Sequence, residues 1–152
     1  MCYNIPQRFG LKYTDKDGAL KQPVIIHRAI FGTFERFIGI ITELYQGAFP
    51  LWLAPTQVVI LPITDKNLDY ANNVCEKLKG AALRVEIDAR NETLQAKIRD
   101  ATLQKIPYIV VIGEREEKTA KIAVRTREGK DLGQINLEDF VKRILADIAS
   151  KS

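Results

Sequence analysis

From Gln57 onward, short apolar runs alternate with helix-patterned segments, and that alternation leaves few folds open. Residues 58–61 (VVIL) are wholly apolar, as a strand covered on both faces requires, and residues 108–112 (YIVVI) repeat the pattern. Between them Thr64 or Asp65 heads a helix that carries Leu68, Ala71, Val74, Cys75 and Leu78 on one face and stops at Gly80. Leu83, Val85 and Ile87 then alternate with Arg84 and Glu86 in the manner of a strand, and a second helix runs from about Thr93 to Gln104. A strand–helix–strand–helix–strand order with short connections implies parallel strands joined by right-handed crossovers. Residues 121–126 and 130–135 add two strands around a Glu128-Gly129 turn. Asn136, with Asp139 three positions on, heads a final helix striped by Leu137, Phe140, Val141, Ile144, Leu145 and Ile148. The expectation is an α/β domain over residues 57–152, with a five-stranded mixed sheet and three helices.

The chain before that domain reads differently. Residues 11–14 and 23–30 flank the turn-rich Asp15-Lys16-Asp17-Gly18 and predict a β-hairpin. Thr33 then caps a helix whose apolar positions Phe34, Phe37, Ile38, Ile41 and Leu44 fall at three- and four-residue spacing, so one face is expected to be buried. Two strands and one helix bury too little to stand alone. Residues 1–47 must therefore pack on the next domain, pair with another copy, or stay partly mobile. By residue type alone, His27 reads as a satisfied histidine at a strand edge and Arg36 as a solvated cation beside Glu35. Residues 47–64 carry no charge, but Pro50, Pro55 and Pro62 would break a membrane helix, and residues 48–56 read as a linker.

Composition narrows the function classes. Twenty-three Lys and Arg against 19 Asp and Glu give a net charge of +4, which permits a polyanionic partner without demanding one. Two distant cysteines, Cys2 and Cys75, in no CxxC pattern argue against a disulfide scaffold or an all-cysteine zinc site, and a reducing cytoplasm fits best.

The string HRAIFGTFERF at residues 27–37 resembles the third signature motif of the class II aminoacyl-tRNA synthetases, in the version carried by threonyl-tRNA synthetases. Further strings extend that resemblance: FPLWLAPTQV at 49–58, RNETLQAKIRD at 90–100, KIPYIVVIGE at 105–114 and VRTREGKDLG at 124–133. It implies that residues 1–47 are the end of a truncated antiparallel catalytic domain, the Met-Cys start marking a cut boundary. Residues 57–152 are then the anticodon-binding domain. His27 is implied as one of three protein ligands of a zinc ion that holds the amino and hydroxyl groups of threonine and rejects valine. Arg36 is implied to lie over the adenine of Mg-ATP and neutralise phosphate charge, as a planar guanidinium can. The parent reaction would be ATP-dependent activation of threonine and its transfer to tRNA, by a homodimer with no membrane association.

For the anticodon, the resemblance implies that Asn91, Arg99, Glu116 and Arg125 contact the central guanine, the uracil beside it and their backbone. Amides, carboxylates and guanidinium groups are the side chains that read splayed bases. Glu116 is informative because a carboxylate beside RNA is repelled by phosphate and is useful mainly as an acceptor of base N–H groups. From residue type alone Asn91 is equally a turn residue, Arg99 a surface helix cation, and Glu116 with Arg125 a solvated pair. Arg127, Lys121 and Lys130 lie close enough in sequence to Arg125 to add phosphate contacts. One departure stands out: where the family usually reads RNEKxGYKIR, this chain has Thr93, Gln95 and Ala96, which removes one possible phosphate contact and alters the helix start. With the earlier class II motifs unmatched, the piece alone is expected to form no adenylate and to bind no stoichiometric zinc. The rival reading is a non-enzymatic nucleic-acid-binding or subunit-interaction module derived from a synthetase.

Overall fold

A computed structural model describes residues 2–151. The chain divides into two compact units, the first ending at Ile40 and the second beginning at Ile41.

The first unit holds a short helix α1 (Asn4–Arg8) and a hairpin of β1 (Tyr13–Thr14) and β2 (Leu20–Lys21). Gly18, at φ 76°, makes the reversal, and the Lys21 ammonium is held between the carboxylates of Asp15 and Asp17. The return arm is shorter and earlier than the sequence implied. Of residues 23–30, only Ile25 pairs, in an isolated bridge to Cys2. Pro23 has no N–H to give, and apolar residues such as Ile26 and Ile30 remain exposed for want of a neighbouring strand. Helix α2 (Phe34–Tyr45) begins as expected, with the Thr33 hydroxyl accepting from the Arg36 N–H at 3.4 Å. Its apolar face is not buried, contrary to the pattern: Phe34 is 83% exposed and Leu44 71%. A hairpin of two-residue strands offers too little apolar surface to cover the part of α2 that lies in the first unit, Phe34 to Ile40.

In the second unit, β3 (Val58–Pro62), β4 (Val85–Ile87), β5 (Tyr108–Ile112), β6 (Lys121–Thr126) and β7 (Asp131–Asn136) form one mixed sheet in the order β4-β3-β5-β6-β7. β3 pairs in parallel with both β4 and β5, whereas β5–β6 and β6–β7 are antiparallel. One face is packed by α3 (Leu68–Gly80) and α6 (Leu137–Ala149), whose Leu78, Phe140 and Ile144 lie against Val58, Ile60, Val110, Ile122 and Val124. The other face is covered over β3 and β5 by α4 (Leu94–Leu103), through Ala101 against Val59, Leu61 and Ile109. On β6 and β7 that second face is open, with Arg125 and Gln134 exposed.

The mixed five-stranded sheet is the one expected, with one helix more than the three read from the pattern: α5 (Glu114–Thr119), six residues with none buried. Asn136 stands at the N-cap of α6 in extended conformation, but its side chain makes no capping bond. The segment at 48–56 is pinned through buried Gln57, whose amide donates to the Leu51 carbonyl at 2.9 Å and accepts from the Arg84 N–H at 3.0 Å. Arg84 itself donates to the carbonyls of Ala54 and Trp52.

Candidate nucleic-acid interface

Two parallel strands run out together at one edge of the sheet, where Pro62 is in register with Ile112. Edges of this kind leave backbone carbonyls without ladder partners, and they are where open α/β sheets take ligands. Lys97 answers for two of those carbonyls. Its side chain is buried beneath α4, and its ammonium donates to Pro62 O at 3.3 Å and Asp88 O at 3.1 Å. The loop leaving β4 is thereby tied to the end of β3. Arg90 bonds both Asp88 and Asp100, at 2.7 and 2.9 Å, which holds the Asp88 carboxyl below its ordinary range, chiefly through the Arg90 hydrogen bond. Thr93 caps α4 by accepting from the Ala96 N–H at 3.3 Å. The altered sequence at 93–96 thus still supports a capped helix start. Asn91 sits exposed in this loop, on the rim of a cavity of about 250 Å³ that Ile63, Thr64 and Lys97 also line.

On the other side of the same edge is Glu116. It is the third residue of α5, and its Oε2 accepts from the Gly113 N–H at 3.0 Å, one of the donors a helix start leaves unpaired. Its Oε1 accepts from Gln134 Nε2 at 2.7 Å. α5 is in turn moored by buried Asn67, which accepts from the Thr64 hydroxyl and donates to Glu117 Oε2, both at 2.7 Å. The turn after β3 and the helix after β5 are therefore one connected piece.

Strand register places Arg125 with this group. Ile109 pairs with Arg125, and Val111 with Ala123, which pairs with Gln134. Directly opposed residues share a face, so Arg125, Ala123 and Gln134 stand on the face where Ile109 meets α4. Arg125 and the Gln134–Glu116 pair are one side-chain row apart, roughly 7 Å along the strand. Arg125 contacts Asp131 at 3.3 Å, and the Asp131 carboxyl is held low first by the Gly133 N–H and then by Arg125. Arg127 is engaged elsewhere, donating to Phe49 O at 2.7 Å and contacting Glu128. Glu116 and Arg125 thus share an open strip, with Asn91 in the loop of a separate strand end and Arg99 exposed on α4. Gln134 and Lys97 were not singled out from sequence. The signal for Lys97 was its place among Leu94, Ile98 and Ala101, where a helical stripe calls for an apolar residue.

His27 and Arg36 are both exposed and belong to the first unit. Among the described residues, no three His, Cys, Asp or Glu side chains gather as a metal would need, so the residues present do not make a zinc site around His27. No described helix is long and apolar enough to cross a membrane.

Residues 57–147 match the family model described as the anticodon binding domain. The chain belongs to that family. This anticodon-binding domain and the residues before it are 51% identical over 150 residues to the threonine–tRNA ligase of Desulforamulus reducens, covering 99% of this chain and 24% of that protein. Identity to the threonine–tRNA ligase of Clostridium acetobutylicum is 50% over 149 residues, covering 98% of this chain and 23% of that protein. The chain thus spans about a quarter of the length of the curated relatives it matches. Among solved structures it resembles the RNA binding domain of threonyl-tRNA synthetase from Cryptosporidium parvum, with a TM-score of 0.72 and 34% identity over 95% of this chain and 36% of that one. Histidyl-tRNA synthetase from Nostoc matches at a TM-score of 0.57 and 25% identity, over 60% of this chain and 22% of that one.

Proposed function

We propose that this chain is the anticodon-reading part of a threonine–tRNA ligase, and that the strip from Glu116 to Arg125, with Asn91 and Arg99, reads the anticodon of threonine tRNA. The observation that carries the reading is one residue pair in one place. A carboxylate at the start of α5 and a guanidinium on β6 flank the part of the sheet that α4 leaves uncovered, in a chain about half identical to threonine–tRNA ligases along its whole length. A guanine or uracil edge offers N–H donors and keto acceptors, and that pair supplies the complementary acceptor and donor. The domain limits that go with this reading are 1–47 for the end of a catalytic domain, 48–56 for a linker and 57–152 for the reader.

The whole protein would then activate threonine with Mg-ATP and transfer it to tRNA, as a cytoplasmic homodimer. Arg36 would serve ATP and His27 would be one zinc ligand, completed by residues outside this chain. Titration of a labelled anticodon stem–loop tests the reading. Changing the central guanine to adenine is expected to weaken binding about 5- to 150-fold, the range for losing one well-formed base contact. Equal affinity for both, with steep salt dependence, would mean phosphate attraction alone and would refute it.

A further inference from the structure

Lys97 is buried more deeply than satisfying two carbonyls requires. It is 4% exposed, in a helix face otherwise lined by Leu94, Ile98 and Ala101, and it forms no ion pair among the described residues. The Asp88 carboxylate, whose charge it feels, is turned to Arg90. Burying an ammonium without a carboxylate partner is costly, and a helix position of this kind is better filled by an apolar residue unless the charge is used. An ammonium has three N–H donors. Two are taken by Pro62 O and Asp88 O, and the side chain lines the cavity of about 250 Å³ beneath the Asn91 loop.

The rest of that cavity says what would meet the third donor. Asp65 and Glu92 line it as carboxylates, Asn91 as an amide, and the half-exposed Ile63 as an apolar wall. Two acids beside two bases, one of them already bound to Asp88 and Asp100, make a poor seat for phosphate. They make a good one for a neutral ring with N–H groups toward the acids and an oxygen toward Lys97. Ile63 can support the flat face of such a ring. It cannot easily withdraw, because Gly113 lies against it so closely that a Cβ there would fall 2.7 Å from Ile63 Cδ1.

We propose that this cavity seats one splayed base, and that the third N–H of Lys97 donates to a keto oxygen on that base. The site favours guanine or uracil, in which a ring N–H adjoins the keto oxygen, over adenine, which has no keto oxygen to accept from the ammonium. The inference rests on the anticodon reading and adds to it a recognition residue outside the Glu116–Arg125 strip.

Lys97→Met keeps length and removes the donor. Stem–loops are compared with and without 2-aminopurine for the anticodon guanine, and with and without 2-pyrimidinone for the uracil, which lack the O6 or O4 keto oxygen and with it the adjoining ring N–H. At one anticodon position the analogue is expected to cost the natural chain about 10- to 100-fold more than it costs the variant, as for one charge-assisted hydrogen bond. Lys97→Arg is expected to restore part of the discrimination. Equal weakening by Lys97→Met for every analogue, with discrimination intact, would mean that Lys97 only holds the loop and would overturn the proposal. A salt slope reduced by about one with unchanged discrimination would assign Lys97 to a phosphate and overturn it equally. Should the variant fail to fold, the 15Nζ resonance of Lys97 in the natural chain decides. It must shift with the natural stem–loop and not with the keto-deleted one. If the natural chain discriminates at no anticodon base, the anticodon reading fails first and this inference with it.

Discussion

Replacing Glu116 with Gln separates two roles that the carboxylate holds together. In the folded chain it accepts from the Gly113 N–H at 3.0 Å and from Gln134 Nε2 at 2.7 Å, at the start of a six-residue helix. A glutamine keeps one acceptor for Gly113, and Gln134 can turn its own amide to suit the other group. What is lost is the charge, about 0.3–1 kcal/mol of helix-end interaction plus a smaller gain from charge-assisted bonding. The sum is roughly 1 kcal/mol, or about 4 °C in the midpoint of thermal unfolding followed by circular dichroism. Binding should respond more strongly and in a sign-dependent way. If Glu116 accepts a base N–H, affinity for the natural stem–loop, read by fluorescence anisotropy, falls about 5- to 150-fold, and the guanine-to-adenine difference shrinks with it. If the carboxylate only caps α5, neutralising it removes repulsion from phosphate and affinity stays level or rises, most at low salt. Level or improved binding would refute the base-reading role.

Other consequences follow from the core and its titrating groups. Gln57→Leu strips partners from the Leu51 carbonyl and the Arg84 N–H in a buried place and should cost roughly 2–4 kcal/mol by denaturant unfolding. Phe140→Ala, which empties a fully buried position packed edge-on against Tyr108, should cost about 3–5 kcal/mol in the same assay. Burial, helped by its bond to Asp147, raises the Tyr108 pKa, and burial beside Glu117 and Glu116 raises that of Tyr70. Above the ordinary tyrosine value of 10.0 the unfolded chain loses these protons before the folded one does. Stability is thus fully present below that pH and declines as pH rises toward the folded values. Tyr108→Phe should flatten the alkaline decline in unfolding free energy, and an unchanged slope would remove Tyr108 from the account.

The sheet was legible because its central strands are unbroken apolar runs: 58–61 and 108–112 have no other economical reading in a chain of this length. α5 was not legible, since GEREEKT offers no apolar residue to show a period, and the helix is fixed by Asn67 and Glu116 rather than by burial. Residues 23–30 have strand-forming side chains, yet a strand also needs a partner, and this one finds a single bridge at Ile25. The apolar period of α2 was read correctly as a helix and wrongly as a buried face, because periodicity reports which residues seek cover and not whether cover is there. The resemblance marked Glu116 and Arg125 by position. That they share an open strip follows from antiparallel register, and Gln134, which completes the strip, carries no sequence signal beyond being polar in a strand.

Backbone amide shifts on titration with the natural anticodon stem–loop show where the RNA lies on the domain. The largest changes are expected at Glu116, Ala123, Arg125 and Gln134 and around Asn91, with the outer faces of α3 and α6 nearly unmoved. Changes centred on α3 and α6, or confined to residues before Ile41, would contradict that placement.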